Sequence, residues 1–557
     1  MILRKTVCTF LFLTSISAQA AVPSVPYSRP SEKGLETPQL QPEKESPPEI
    51  TLPPLPSLEH EPGTQLGVIL KQVVFEGNTV FSDTELLGVV SQYLGKTITS
   101  GDLQQMRIEL SKYYIDKGYI NSGVLIPDQK VDQGIIRFRV VEGKLSVIQL
   151  SGQKRLSHNY IYDRILLGVS KPLNISDLQN QLFLLQQDQR IKRINAQLQP
   201  GAVLGESILY VDVEEAQAFH AYLMANNHRS PSVGSERGLL RLVHSNLTGM
   251  GDTAEFRYGL TEGLKDYYAY YDYPLTARDL KLSIYYEKAD SEVIEQPFAA
   301  LDVDSQSSTT GIGIGGPVYR NTDEQFDLGV NFEKRKSQTF LLGMPFSFEA
   351  GPHDGLSRLS VARVYQSWFK RSRSSVVALR STFNLGFDSM DATVNGGNIP
   401  DGRFQSWLGQ FQWLNQYSWN HTQLLTRATI QLTDDPLLPM EQFSVGGANS
   451  VRGYRENQLV GDYGFFASLE YRYPLITQTS DGYFQLVAFT DYGQVRNKDR
   501  ATPDFNDIYS VGTGFRWAYE TNFEMELYWG IPLHDMNNPD NDLQDDGIHF
   551  QLRMELY

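Results

Sequence analysis

The segment Ile548–Leu556, IHFQLRMEL, alternates strictly between apolar and polar side chains near the end of the 557-residue chain. The apolar positions share one face of a strand: Ile548, Phe550, Leu552, Met554 and Leu556. The polar positions share the other face: His549, Gln551, Arg553 and Glu555. A strand that lies between lipid and water needs this division. The segment therefore predicts a membrane-spanning β-strand.

The same alternation continues through the chain from about His220 to the C-terminus. Clear examples are Leu280–Glu287 and Phe523–Trp529, where polar residues occupy every second position. About sixteen such segments fit into this region, a number typical of outer-membrane barrels. We therefore predict a mainly β protein with a 16-stranded transmembrane β-barrel. A soluble β-sandwich or propeller would also have one apolar face, but it does not require so many charges on the other.

Short polar turns alternate with longer loops between these segments. The short connections are Asn246–Asp252, Tyr273–Asp279, Tyr319–Gln325 and Tyr473–Gly482. The long connections are Ser291–Ser307, Ser337–Gly355, Asp388–Gly402, Thr433–Tyr463 and Pro532–Gly547. Short turns on one rim and long loops on the other are typical of an outer-membrane barrel.

The region before the barrel contains an internal repeat. A strand at Val68–Glu76 is followed by two helical stretches and two more strands, and the same order returns from Leu145. The triplet Asp102–Gln104 recurs as Asp177–Gln179, 75 residues later. A fixed internal period indicates repeated structural units. The pattern predicts two tandem βααββ units, with Ser100 as the expected N-cap of a helix in the first.

The N-terminus has the charged, apolar and small-residue order of a cleavable secretory signal over residues 1–20. An uncleaved anchor is the alternative, but the apolar part is short for a membrane span. Residues 21–65 are rich in proline, with 11 of the chain's 27 prolines between Pro23 and Pro62. This composition favours an extended linker, acting as a tether or an interaction arm.

The composition offers little support for enzymatic chemistry or for nucleic-acid binding. The formal net charge is -16, and the single cysteine, Cys8, lies in the signal. Gly311–Gly316 matches a dinucleotide-binding pattern, but no helix is expected after it, so glycines of a barrel strand are favoured. The acidic stretch Asp535–Asp546 could bind Ca²⁺ loosely, although a solvated loop is favoured. We predict a non-enzymatic protein with no catalytic residues, no metal site and no cofactor.

The most informative segment is Ser444–Phe465, a long loop that carries an arginine between apolar residues. An arginine folded into a barrel lumen needs a carboxylate partner, because an unpaired charge away from bulk water is costly. Asp491 is the candidate partner, and an exposed loop arginine is the alternative. Two motifs carry this hypothesis. They comprise Val451, Arg452, Gly453 and Tyr454 in the loop, and Phe489, Asp491 and Gly493 on one face of a later strand.

The order of these features resembles the Omp85 superfamily over roughly Gly67–Tyr557. Two βααββ units are similar to its two-partner secretion branch, the transporters of haemolysin and filamentous-haemagglutinin type. The resemblance implies that the units are POTRA domains and that the sixth long loop reaches into the lumen. It also implies that Arg452 pairs with Asp491, that Gly453 permits a tight tip and that Tyr454 packs on the inner wall.

The resemblance further implies a function, a location and partners. POTRA domains in the periplasm would capture a large secreted exoprotein by its N-terminal secretion domain, and the outer-membrane barrel would conduct it. Outer-membrane lipid or lipopolysaccharide would surround the barrel, the barrel-assembly machinery would insert it, and no nucleic acid is expected. An assembly factor for other barrels, or a ligand-specific channel, are the alternative functions.

The implied domains are residues 1–20 as signal peptide, 21–65 as linker, 66–143 and 144–216 as POTRA 1 and POTRA 2, and 217–557 as barrel.

Two features depart from the family pattern. The stretch where many members have a pore-plugging helix is proline-rich here, and it predicts no helix. Tyr557 fits an assembly signal, but Glu555 and Arg553 place the apolar phase one residue out of register with it.

Overall fold

The computed structural model describes residues 29–32, 35, 40, 50–51, 65–131, 133–479, 482–502, 505–520, 522–536, 538–539 and 541–557. The predicted signal peptide and most of the predicted linker lie outside these residues. Within them, the helices are too short or too polar to cross a membrane. The linker contributes a 3₁₀ turn at Pro30–Glu32 and a two-residue strand, β1, at Ile50–Thr51.

The first βααββ unit is built around a small sheet in the order β3-β6-β5. Its elements are β2 (Gln65–Ile69), β3 (Gln72–Glu76), α1 (Asp83–Val90), β4 (Thr97–Thr99), α2 (Ser100–Asp116), β5 (Gly123–Leu125) and β6 (Ile135–Val141). The single strand predicted at Val68–Glu76 is divided, because Leu70 turns into the core and β2 leaves the sheet to pair with β4. The N-cap of α2 is Thr99 rather than Ser100: its hydroxyl accepts from the Asp102 amide.

The second unit repeats this arrangement. Its elements are β7 (Lys144–Ser151), α3 (His158–Leu166), α4 (Ile175–Gln186), β8 (Ile191–Pro200) and β9 (Glu206–Glu215). Strand β7 pairs in parallel with β9, and β9 pairs antiparallel with β8, as β3, β6 and β5 do in the first unit. The outer edge of β8 carries β1 in parallel, so the sheet order is β1-β8-β9-β7.

A glutamate after the last strand of the first unit secures the loop that follows its first core strand. The Glu142 carboxylate accepts hydrogen bonds from the Thr79 amide at 2.7 Å, the Val80 amide at 3.0 Å and the Tyr114 hydroxyl at 3.1 Å. Glu215 occupies the same place in the second unit and accepts from three consecutive amides: Lys154, Arg155 and Leu156. Both repeats therefore contain a glutamate that fixes this loop through hydrogen bonds, which we call the polar lock. Comparing the sequences of the two repeats did not reveal it.

We expect Glu142→Gln to destabilise the first unit by about 1–3 kcal/mol at pH 7, because charged hydrogen bonds are lost. Burial raises the pKa of the Glu142 carboxyl, but the donated hydrogen bonds outweigh burial and hold it below its ordinary value. The stabilisation is thus present at neutral pH and is lost as the pH falls from the unfolded-state pKa towards the lower folded-state pKa.

Hydrogen exchange of the full-length protein, corrected for intrinsic rates, measures the difference in the free energy of unfolding between pH 7 and pH 4. Glu76→Gln, which removes an exposed ion pair with Arg137, is the control and should change little. Equal destabilisation by both variants would contradict the lock.

The remainder of the chain forms a closed barrel, and within the described residues sixteen strands make up its wall. They are β10 (Phe219–Asn226), β11 (Arg237–His244), β12 (Thr253–Leu260), β13 (Leu264–Pro274), β14 (Lys281–Glu292), β15 (Val303–Arg320), β16 (Glu324–Leu341), β18 (Leu356–Arg371), β19 (Ser375–Phe387), β20 (Gln405–Gln416), β21 (Gln423–Thr433), β24 (Tyr463–Thr479), β25 (Gly482–Arg496), β26 (Asp507–Tyr519), β27 (Phe523–Pro532) and β28 (Ile548–Glu555). Three short strands lie in loops: β17 (Met344–Pro345), β22 (Phe443–Val445) and β23 (Leu459–Gly461). The antiparallel pairing of β10 with β28 closes the barrel. The predicted 16-stranded barrel is confirmed.

The two faces of the wall differ as the sequence predicted. On β24, Leu469 and Tyr471 are 44% and 40% exposed, whereas Ser468 and Glu470 are 3% and 2% exposed. Apolar side chains thus point outwards and polar ones point into the lumen.

The glycine-rich segment Gly311–Gly316 lies within β15, with no helix after it, so the dinucleotide-binding alternative does not apply.

The second βααββ unit is docked on the short turns of the barrel. The Arg190 guanidinium donates to the Ser245 carbonyl at 2.6 Å and to the Thr253 hydroxyl at 3.1 Å. The Ser157 amide donates to the Gly249 carbonyl at 2.8 Å, and a further ion pair joins Arg164 to Asp279 on the next turn. The start of the edge strand β8, directly after Arg190, is thereby placed beside these turns.

Candidate functional site

The loop between β21 and β24 (residues 434–462), the sixth on its rim, folds into the barrel. Its short strands β22 and β23 pair with each other and pack against the wall strands β24 and β25. The loop and the wall share a buried apolar cluster: Leu408, Phe443, Val445, Val451, Tyr454, Leu459, Phe466, Val495 and Ile508. The loop is therefore a packed lumenal element with its own contacts to the wall.

Arg452 lies at the centre of these contacts and is 1% exposed. Its Nε is 2.8 Å from Asp491 Oδ2, its Nη2 is 3.0 Å from Asp491 Oδ1, and its backbone amide donates to the same carboxylate at 3.1 Å. The guanidinium also pairs with Glu470 and stacks on the Phe489 ring, 3.6 Å from the ring centroid. The structure thus brings together the arginine and the aspartate that the sequence had paired.

Glu470 is a partner that sequence reasoning missed. It is 2% exposed on β24, and its second oxygen accepts from Arg472 Nε at 2.6 Å. Two carboxylates, Glu470 and Asp491, therefore meet two guanidinium groups in a buried network. Buried charges are tolerated only when they are paired and hydrogen-bonded. The alternation of residues along β24 indicates that Glu470 faces the lumen. It does not indicate which residue Glu470 contacts there.

The other motif positions provide close approach. Gly453 has φ 94°, and a Cβ there would lie 2.8 Å from the carbonyl carbon of Gly530 on β27. A Cβ on Gly493 would meet Val451 at 2.8 Å and Val445 at 2.9 Å. The loop tip and the wall thus touch at glycines on both sides, which only residues without a side chain permit.

Tyr454 and the tip backbone add hydrogen bonds to strands β26 and β28 and to the loop between β27 and β28. The Tyr454 hydroxyl accepts from the His534 amide at 3.0 Å and lies 2.9 Å from the Tyr509 carbonyl oxygen. The Gly453 amide donates to His549 Nε2 at 3.0 Å. His549 belongs to the alternating segment near the end of the chain, where its polar phase points into the lumen.

A second anchor of the loop lies on a different part of the wall. Glu441 is 1% exposed; its Oε1 is 2.6 Å from Arg335 Nη1 on β16 and 2.8 Å from Arg363 Nη2 on β18. Glu333 also pairs with Arg363 at 2.8 Å. The sixth loop is therefore tied to two distant wall regions, of which the sequence predicted one.

Other loops and the N-terminal segment also contact the sixth loop. Arg455 pairs with Glu295 at 2.8 Å and with Asp545 at 2.5 Å, in the third and eighth loops of the same rim. Part of the acidic stretch is thus an ion-pair partner, and within the described residues no group of three or more metal-binding side chains converges. Arg29, 4% exposed, donates from Nε to the Pro439 carbonyl at 3.1 Å, and the 3₁₀ turn that follows it packs against β22.

Known proteins with the same architecture include solved outer-membrane transporters. CdiB from Escherichia coli superposes with a TM-score of 0.67 at 19% sequence identity, covering 90% of this chain and 93% of that one. CdiB from Acinetobacter baumannii gives a TM-score of 0.60 at 17% identity, with 92% and 94% covered. These likenesses establish the fold.

Sequence comparison gives related results. The heme/hemopexin transporter protein HuxB of Haemophilus influenzae (strain 86-028NP) is 21% identical over 508 residues, covering 84% of each chain. The hemolysin transporter protein HpmB of Proteus mirabilis is 22% identical over 523 residues, covering 88% of this chain and 86% of that one. The family "POTRA domain, ShlB-type" matches residues 68–143. The family "Haemolysin secretion/activation protein ShlB/FhaC/HecB" matches residues 205–517, more than half of the chain. The chain therefore belongs to this haemolysin secretion/activation family, the two-partner secretion transporters, which lie in the outer membrane with their POTRA domains in the periplasm.

Proposed function

We propose that this chain moves one large exoprotein from the periplasm to the cell exterior, recognising it through an N-terminal secretion domain. The observation that carries the proposal is the buried network around Arg452, which holds the sixth loop inside a closed barrel. A loop held by ion pairs and glycine contacts is a reversible gate, because its bonds can be exchanged for bonds to water. The second POTRA unit, docked at the periplasmic mouth, provides the entry site.

Capture and passage follow from this arrangement. The POTRA sheets have edge strands to which an extended polypeptide can add, with backbone hydrogen bonds supplying affinity without a fixed sequence. The lumen contains the sixth loop and the turn Pro30–Glu32, so both must shift before a chain can pass. The free energy for transport comes from folding of the passenger outside the cell, with no enzymatic step by this chain.

The remaining assignments complete the proposal. Residues 1–20 direct export. Residues 21–65 are the linker, which contains the lumenal turn and leads to the POTRA units. The two POTRA domains are residues 66–143 and 144–216, and the barrel is residues 217–557. The exposed apolar face of the wall contacts outer-membrane lipid and lipopolysaccharide. The barrel-assembly machinery inserts the chain into the outer membrane.

The test is secretion in a strain deleted for this gene, with culture supernatant and periplasm compared by mass spectrometry. We expect one very large protein to disappear from the supernatant and to return when the wild-type gene is restored. A general fall in outer-membrane barrel proteins, with no single missing exoprotein, would contradict the proposal and indicate an assembly factor. Unchanged secretion and unchanged barrel levels would contradict both and favour a ligand-specific channel.

A further inference from the structure

The predicted linker supplies a strand to the second POTRA sheet. Ile50 lies opposite Ala196 and Thr51 opposite Gln197, in parallel pairing on the outer edge of β8. Ile50 is 4% exposed and belongs to the buried core of this unit, whereas Thr51 and Gln197 face solvent. The contact thus combines backbone pairing with burial of one side chain, which is how a peptide adds to a sheet edge.

The pairing uses a small part of the edge. Strand β8 has ten residues, and β1 pairs with two of them in the described part of the linker. Strand β9 occupies the other side of β8 along its whole length. A longer extended segment could therefore form more hydrogen bonds on the same edge than β1 does.

The same N-terminal segment also reaches the barrel lumen. Arg29 donates to Pro439 in the sixth loop, 21 residues before Ile50 in the chain. A chain of this length spans at most about 70 Å, which limits how far the two contacts can move apart. The residues that contact the POTRA edge and the sixth loop are thus parts of one continuous N-terminal segment.

We propose that β1 is a built-in occupant of the β8 edge, and that an extended segment of the exoprotein with apolar residues at alternate positions displaces it. This inference rests on the proposed transport function. The tether keeps β1 at a high local concentration, so a weak two-residue contact holds the edge until a longer strand arrives. Displacement of β1 then loosens the segment that holds Arg29 against the sixth loop, which couples capture of the exoprotein to opening of the lumen.

The test locks β1 on the edge with a disulfide. Thr51→Cys and Gln197→Cys are introduced together in a Cys8→Ser background, since neighbouring strands lie about 4.8 Å apart, within the range that a disulfide spans. The matched control is Ser151→Cys with Asp212→Cys, a solvent-facing parallel pair in the same sheet that the proposal leaves together. Secretion of the exoprotein identified by gene deletion is measured with and without a membrane-permeant reductant.

We expect the oxidised Thr51/Gln197 pair to reduce secretion by at least about tenfold, and reduction to restore it, because the lock denies the edge to the exoprotein. The oxidised Ser151/Asp212 pair should secrete normally. Equal secretion by the two oxidised pairs would overturn the proposal while leaving the transport function intact. Failure of the transport function is separately visible, because the deletion strain would then lose no exoprotein.

A second variant tests the coupling in the absence of any exoprotein. Ile50→Asp places a charge in the core of the second POTRA unit and should release β1 without a disulfide. The purified full-length protein, inserted in planar lipid bilayers in potassium chloride, should then conduct more often than the wild type, by about threefold or more. Thr51→Asp, at the solvent-facing neighbour, is the control. Identical conductance of Ile50→Asp and wild type would overturn the coupling.

Discussion

Replacing Arg452 with alanine is expected to lower secretion by at least about tenfold, because it leaves the buried Asp491 carboxylate without its cation and Glu470 with Arg472 alone. Breaking a buried ion pair in this way costs about 3–5 kcal/mol. Asp491 and Glu470 are both buried, and Arg452 contributes three hydrogen bonds to Asp491 alone. Without it the loop tip around residue 452 should leave the wall, while the anchor of Glu441 on Arg335 and Arg363 remains. Secretion of the exoprotein and accessibility of the loop to protease on whole cells are the measurements.

Two companion variants separate charge from geometry. Arg452→Lys keeps the charge but loses the planar fork, so it should recover only part of the secretion. Asp491→Ala combined with Arg452→Ala should show a coupling of about 0.5–3 kcal/mol in barrel stability, since residues in direct contact are not additive. Wild-type secretion and wild-type stability of Arg452→Ala would together rule out the gating role.

The part of this site that the sequence predicted is the part encoded in short local motifs. Arg452 and Asp491 each stand in a recognisable motif, and a buried arginine requires a carboxylate, so one pairing could be inferred. Glu470 and Glu441 stand in no motif. Alternation places the Glu470 side chain in the lumen, and Glu441 is a charged residue of a long loop. Neither observation identifies the partner of the charge, because the packing of a loop inside a barrel depends on the whole fold.

The same distinction explains the fold-level results. Alternation along each strand encodes the barrel, since each residue faces lipid or water according to position alone. The internal period encodes the two βααββ units. The pairing of Ile50 with β8 was not predicted, because the surrounding proline-rich composition indicates an extended chain and does not reveal that one apolar residue in it fits a sheet edge.

Gly530 offers a test of the loop position that alters no charge. A Cβ on Gly530 would lie 2.5 Å from the Gly453 amide nitrogen and 2.7 Å from the carbonyl carbon and oxygen of Arg452. These are backbone atoms, so no side-chain rotation can relieve the overlap. Gly530 lies in β27, whose own neighbours β26 and β28 fix its place in the wall. The loop tip, and not the wall, must therefore move.

We expect Gly530→Ala to displace the loop tip and to reproduce most of the secretion loss of Arg452→Ala, with a cost of about 1–3 kcal/mol from overpacking. Gly238→Ala is the matched control: this glycine also lies in a barrel strand, and a Cβ there meets nothing within 4 Å. Secretion, whole-cell protease accessibility of the sixth loop and thermal stability of the purified barrel are compared for the two variants.

If Gly530→Ala secretes as well as Gly238→Ala while the tip remains protected from protease, the close contact of Gly453 with Gly530 is not what positions the loop. If Gly530→Ala exposes the tip and secretion falls although both charge networks are chemically intact, the position of the loop, rather than any single ion pair, controls passage through the lumen.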